Sequence, residues 1–383
     1  MLTVIMPVGN SFGWGVCGKY LTRDLSNLTN VELLTYSLSN AIVSDPYDYN
    51  FLSSKYLGDD VVNSYSFDTP YKSKHILQCV SEDLSEWKVA SNADFKVGYT
   101  FFDNTMIDEK NIENIKNQYD ILVAGSKWCE EALNSNGLTK TKTIIQGIDS
   151  QIFNSANNEK QYLKDKFVIF SGGKFELRKG QDLVIKAFKV LQDKYDDVML
   201  VTSWSNYWAS SVNSMTGSPH INFSIDINNF NNSIDKLLTD NGIKLENVFN
   251  LKHCSNSDMA RIYKNTDIGL FPNRCEAGTN LVLMEYMATG KPVIASYNTG
   301  HKDILTEHNS LMLKHMQKTA IHHQSKQIAT WDSPVLDEII ANLEWAYHNR
   351  DSLDKFAKNA ADDLSKMTWQ SCAQQFYDLY PNS

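Results

Sequence analysis

Short apolar runs alternate along this chain with longer stretches in which apolar residues recur every three to four positions. A strand buried on both faces reads as a continuous apolar run and an amphipathic helix as a repeat of about 3.6, so the alternation predicts strands and helices in turn around parallel sheets. In the first half the predicted strands are 3–7, 32–36, 96–101, 121–124 and 143–146; in the second they are 167–170, 198–202, 248–251, 268–271 and 293–295. The polar, Asn-rich stretch 154–160 reads as a linker and divides the chain into domains 1–153 and 161–350. Leu183, Ala187, Phe188 and Leu191 mark the first helix of the second domain. Phe356, Ala360, Leu364, Trp369, Phe376 and Leu379 give 351–383 the pattern of a helical segment, while 209–233, rich in Asn and Ser, reads as loop.

Composition narrows the class. With 383 residues, 42% hydrophobic and 21% charged, the chain has material for about two globular domains. A net charge of -9 argues against a broad nucleic-acid surface, leaving room for a local basic pocket. The 6 cysteines form no CxxC pair and no Cys/His cluster, so no metal site or disulfide framework is indicated. A cytoplasmic protein is expected, with no membrane span and with peripheral membrane contact left open.

Three segments carry candidate chemistry, each after a predicted strand. In 170–180, Gly172 and Gly173 let backbone approach a ligand, and Lys174 and Lys179 can supply charge to a diphosphate; the structural alternative is a turn with solvated lysines. In 271–285, Glu276 sits in a loop, Gly278 at the turn, and Thr279 as a helix N-cap, so that N–H groups at Thr279, Asn280 and Leu281 form an anion cradle. Glu285 follows inside an apolar helix, where an inward carboxylate needs a polar partner such as a ribose diol; facing solvent is the alternative. The third segment, 9–20, has the spacing GxGxxG at Gly13, Gly15 and Gly18, but the region 33–37 offers no acidic residue for a dinucleotide ribose, so a dinucleotide cofactor is discounted.

On these motifs the chain resembles the retaining glycosyltransferases of GT-B fold, most of all family four, the group 1 glycosyl transferases. Gly173, Lys174, Lys179 and Gly180 match the family's glycine, basic residue and lysine followed by glycine, with Lys174 where Arg is usual. Its two glutamates are normally separated by seven residues; Glu276 and Glu285 are separated by eight, and Ala277 holds the strict first position. The stretches 124–128, 146–149 and 290–293 add to the likeness.

The resemblance implies an α/β protein with two Rossmann-like domains facing across a cleft, the acceptor on the first, the nucleotide sugar on the second and a C-terminal helix crossing back. It implies a retaining, metal-independent hexosyl transfer from a UDP- or GDP-linked donor to a hydroxyl of a sugar, lipid-linked sugar or other acceptor, without a cofactor. Lys174, Lys179 and Glu276 would be catalytic. Glu285, Gly278, Thr279, Asn280, Leu281, Gly173, Gly13 and Gly15 would bind the donor, and Tyr99 and Asp103 would line the acceptor side, Tyr99 having a buried structural role as its alternative. The His253 side chain is expected to be incidental, and His301 either lies near the sugar or, as the commoner case, is a solvated loop histidine. Competing readings are a nucleotide-sugar binder without turnover, an epimerase, and a transferase acting on a modified DNA base.

Overall fold

The computed structural model describes residues 1–36, 38–39, 42–65, 68–84, 89–206, 209–252, 254–323 and 325–381, so that His253 lies outside the described residues. Two compact units result: unit 1 is Met1–Gly147, Ile321–Ala329 and Met367–Ser383, and unit 2 is Ile148–Ala320 and Thr330–Lys366.

Unit 1 is built on β1 (Leu2–Ile5), β2 (Val31–Leu34), β3 (Tyr71–Val80), β4 (Ser91–Thr100), β5 (Ile121–Ala124) and β6 (Thr141–Thr143). They form one parallel sheet in the order β2-β1-β3-β4-β5-β6. Strand β3, between β1 and β4, was not among the predicted strands. Its first half carries exposed Lys72 and Lys74, and its buried half is interrupted by Gln78. That glutamine is satisfied internally: its amide donates to the Val89 carbonyl at 2.8 Å and accepts from Ser91 Oγ at 2.5 Å.

The terminal helix Trp369–Tyr377 packs within unit 1, as the resemblance implied. The Trp369 ring stacks on Tyr20 with centroids 5.3 Å apart and planes 8° apart. A Cβ on Gly147 would lie 2.1 Å from the Trp369 nitrogen, so only glycine lets the chain pass there. The preceding helix, Leu353–Leu364, counts instead with unit 2, which splits the expected terminal segment.

Unit 2 contains β7 (Phe167–Gly173), β8 (Val198–Trp204), β9 (Val248–Asn250), β10 (Ile268–Phe271), β11 (Val293–Ser296) and β12 (Leu311–Leu313). The parallel order is β12-β11-β10-β7-β8-β9, with Phe167, Ile169, Leu200, Ile268, Leu270 and Ile294 in its core. Chain order reverses between β10 and β7, and crossovers leaving in opposite directions open a crevice at the carboxyl ends of such a pair. The first and second candidate segments, 170–180 after β7 and 271–285 after β10, flank that point.

Two further strands, β13 (Met316–His323) and β14 (Lys326–Pro334), form a small sheet of their own in a stretch too polar to announce itself. The region 209–233, expected as loop, holds a 3-10 stretch Ala209–Gly217 and the start of helix Phe230–Asp240. The expected linker is pinned to unit 2: the Asn158 amide donates to the Gly290 carbonyl at 3.1 Å and Lys160 Nζ to Asp267 Oδ2 at 2.5 Å. The division between units falls earlier, after Gly147.

Candidate functional site

Strand β7 ends in two glycines. Gly173 takes φ +116°, a region that an L side chain rarely adopts, and its missing side chain leaves the stem of Lys179 alongside. A Cβ on Gly172 would stand 3.0 Å from Cγ1 of Val282, so the bare end of β7 runs against the first turn of helix Leu281–Ala288. Between β7 and helix Gln181–Lys194 the chain makes a 3-10 turn, Leu177–Lys179, closed by Gly180 at φ +74°. Gly180 cannot be larger, because a Cβ would meet the Pro272 carbonyl oxygen at 2.2 Å.

Beneath this turn lies a buried ion pair. Arg274 donates to both oxygens of Asp182, at 2.8 and 2.7 Å, and to the Leu177 carbonyl at 2.7 Å. Planar guanidinium matched to carboxylate is the geometry in which a buried pair is best satisfied. The loop after β10 is thereby tied to the loop after β7.

Glu276 is the centre of the charged cluster above it. Oε1 accepts from Lys179 Nζ at 2.6 Å and from the Asn273 amide, and Oε2 accepts from Arg178 Nη1 at 3.1 Å. Burial would raise this carboxyl, yet Lys179 and Arg178, helped by His301, hold it down to about 2. Arg178 also donates to Glu176 Oε1 at 2.6 Å, and Lys174 Nζ lies 3.4 Å from Glu176 Oε2 with about a third of its side chain exposed (35%). The structure thus brings Lys174, Lys179, Glu276 and Gly173 together. Arg178 was not singled out from the sequence, because a third basic residue beside Lys179 has no periodic signature.

The loop that carries Glu276 packs against Gly300. Gly300 N–H donates to the Glu276 carbonyl at 3.0 Å, and a Cβ there would lie 1.7 Å from the Gly278 carbonyl oxygen. The helix begins one residue later than expected: its N-cap is Asn280, at φ +63°, and its first helical residue is Leu281. Thr279 is no cap, since its hydroxyl turns to Met284 Sδ at 2.9 Å. Asn280 faces His301, whose Nε2 lies 3.3 Å from the Asn280 amide nitrogen while Nδ1 lies 3.0 Å from the Ser296 carbonyl oxygen. His301 is thus fully buried and not the solvated loop histidine expected as the commoner case, and burial lowers it to about 4, so the ring is neutral, donating from Nδ1 and accepting at Nε2. With the helix starting at Leu281, the N–H groups that helix geometry leaves without an acceptor one turn back are those of Leu281, Val282 and Leu283, of which only Leu281 belongs to the predicted set Thr279, Asn280 and Leu281. Glu285, one turn further, is half-buried, neither sealed in nor fully solvated.

In unit 1, Gly13 opens helix Gly13–Leu25 and a Cβ on it would meet nothing within 4 Å, leaving open space at that helix start. Gly15 and Gly18 are required by packing, since their Cβ atoms would lie 2.8 Å from Gly9 N and 2.0 Å from the Pro7 oxygen. Tyr99 is fully buried, its hydroxyl donating to the Ile144 carbonyl at 3.2 Å and its ring 4.8 Å from that of Phe376. That is a core residue, the alternative held open for it. Asp103 is half-buried in the loop after β4. No helix of the described residues is long and apolar enough to cross a membrane, and no group of three His, Cys, Asp or Glu among them could hold a metal ion.

The paired parallel sheets define the GT-B fold, and solved structures agree. A sucrose-phosphate synthase from Thermosynechococcus elongatus matches with TM-score 0.69 at 14% identity over 99% of this chain and 98% of that one. A glycosyltransferase from Rickettsia africae matches with TM-score 0.69 at 13% identity over 100% and 99% of the two chains. HepE of Anabaena, in complex with UDP-glucose, matches with TM-score 0.66 at 12% identity over 99% of each. Residues 226–328, a span that includes the segment 271–285 but not 170–180, match the family model described as Glycosyl transferases group 1. Spore coat protein SA of Bacillus subtilis is 22% identical over 253 residues, 63% of this chain and 59% of that protein's length.

Proposed function

We propose that the protein is a retaining, metal-independent glycosyltransferase that moves a hexose-type sugar from a nucleotide-diphosphate donor to a hydroxyl acceptor in glycan or glycoconjugate synthesis. The observation that carries this reading is the meeting of Gly172 with Val282 beside Lys179. A diphosphate seated there has bare backbone on one side, the first-turn N–H groups of helix Leu281–Ala288 on another, and the Lys179 and Lys174 ammonium groups within the same loop. UDP-glucose in the Anabaena relative supports a UDP-linked donor, with a GDP-linked one as the other candidate.

In the reaction the bond between the sugar's C1 and the diphosphate oxygen breaks, and its electron pair leaves with the nucleotide diphosphate. Negative charge grows on that oxygen, where fixed N–H groups and ammonium groups stabilise the transition state more than the bound donor. These groups meet the charge without calling on a divalent ion. The acceptor oxygen bonds C1 on the face the diphosphate leaves, and its proton passes to the departing phosphate oxygen. Glu285 accepts from the ribose hydroxyls, and the acceptor belongs to unit 1, with Asp103 its remaining candidate there.

A panel of UDP and GDP sugars, followed first by thermal shift and then by release of nucleotide diphosphate in EDTA, tests this reading. Absence of any stabilising donor would sink it. Saturable binding with no released diphosphate would identify a binder without turnover, a reading favoured by one observation: both Glu276 oxygens are already occupied by Lys179, Asn273 and Arg178.

A further inference from the structure

We propose that Arg178 is a positioning residue, which keeps Glu276 fixed and ionised while Lys179 turns from that carboxylate to the donor's diphosphate. The inference rests on the functional reading above and adds to it a residue that the motif pattern does not contain. Lys179 cannot serve a phosphate at full strength while its ammonium is bound to Glu276 at 2.6 Å. If it swings away, a carboxylate only 5% exposed loses its nearest cation, and a buried carboxylate without a counter-charge either takes up a proton or pulls the lysine back.

Arg178 removes that conflict. One guanidinium nitrogen reaches Glu276 Oε2 at 3.1 Å and the Cys275 carbonyl at 3.0 Å, and the other reaches Glu176 Oε1 at 2.6 Å. The side chain therefore bridges two carboxylates from two loops, one from each nitrogen of a planar fork, a fixed spacing that a point-like ammonium lacks. Its own backbone is fixed as well, the Arg178 carbonyl accepting from Arg274 N–H at 2.8 Å. Oε2 faces the arginine, while Oε1 is shared by the lysine and the Asn273 amide, so that each oxygen keeps a donor when the lysine turns away.

The test uses Arg178→Met and Arg178→Lys in the full chain. Titration of the Glu276 carboxyl by 13C NMR, assigned with Glu276→Gln, should move up by about one pH unit or more in Arg178→Met and by less in Arg178→Lys. The acid limb of kcat/KM for the donor, followed only over the pH range in which circular dichroism shows each variant folded, should move up in the same order. An unmoved Glu276 titration, or an unmoved acid limb in a variant that still turns over, overturns the proposal. If the wild-type protein releases nucleotide diphosphate from no donor, the functional reading has failed on its own account, and the carboxyl titration still decides whether Arg178 holds Glu276.

Discussion

Lys179 Nζ lies 2.6 Å from Glu276 Oε1, joining the turn after β7 to the loop after β10 across the point where strand order reverses. Because Glu276 keeps Arg178 and Asn273 when the lysine is gone, Lys179→Ala should fold. Removing a charged donor aimed at a leaving group costs about 10²–10³-fold in rate. We therefore expect kcat to fall by at least about 10²-fold with the far-UV circular dichroism spectrum unchanged. Turnover at the wild-type rate would remove Lys179 from the leaving-group role.

Glu285 is half-buried one turn into helix Leu281–Ala288, where a carboxylate can accept from two vicinal hydroxyls. Glu285→Gln keeps the shape and half of the accepting capacity but loses the charge. Donor affinity by titration calorimetry should weaken by about tenfold, the worth of one charge-assisted hydrogen bond. Equal affinity for the two proteins would cancel the ribose assignment.

Much of this arrangement is legible in the sequence, for physical reasons that also mark where reading stops. Strands β5 and β10 announce themselves at their true bounds because parallel strands covered on both faces are apolar throughout. Strand β3 stays hidden because Gln78 and two lysines break its run, the glutamine being satisfied by Val89 and Ser91, residues remote in sequence. The same holds for the site. Gly173, Lys179 and Glu276 stand in recognisable order, whereas the roles of Arg178, His301 and Asn280 arise from contacts between separate loops that no spacing encodes.

Two buried groups make stability depend on pH in the same direction. Glu276, held at about 2 against an ordinary 4.5, contributes stability that is present above the ordinary value and lost as pH falls toward 2. That contribution is on the order of 3 kcal/mol. His301, lowered to about 4 from an ordinary 6.5, stays neutral in the fold while the unfolded chain takes up a proton, so stability also falls as pH drops from 6.5 to 4. His301→Asn should flatten the melting-temperature profile in that upper window, and Glu276→Gln in the lower one. A profile from pH 7 to 4 with the wild-type slope in His301→Asn would contradict the buried neutral ring.

The Arg274 and Asp182 pair is the support for the whole turn, with side chains 3% and 0% exposed. Arg274→Met would leave Asp182 with the Ser218 hydroxyl at 2.6 Å but without a counter-charge. Breaking a buried pair by removing one partner costs about 3–5 kcal/mol, whereas replacing both with apolar groups recovers much of that. Urea unfolding should therefore show a loss of that size in Arg274→Met and a smaller one in the double variant Arg274→Met, Asp182→Leu. Both should raise the donor KM, because the Leu177 carbonyl loses the guanidinium that steadies the turn carrying Lys179. A single variant within about 1 kcal/mol of wild type, the size of an exposed pair, would show that the turn stands without the pair.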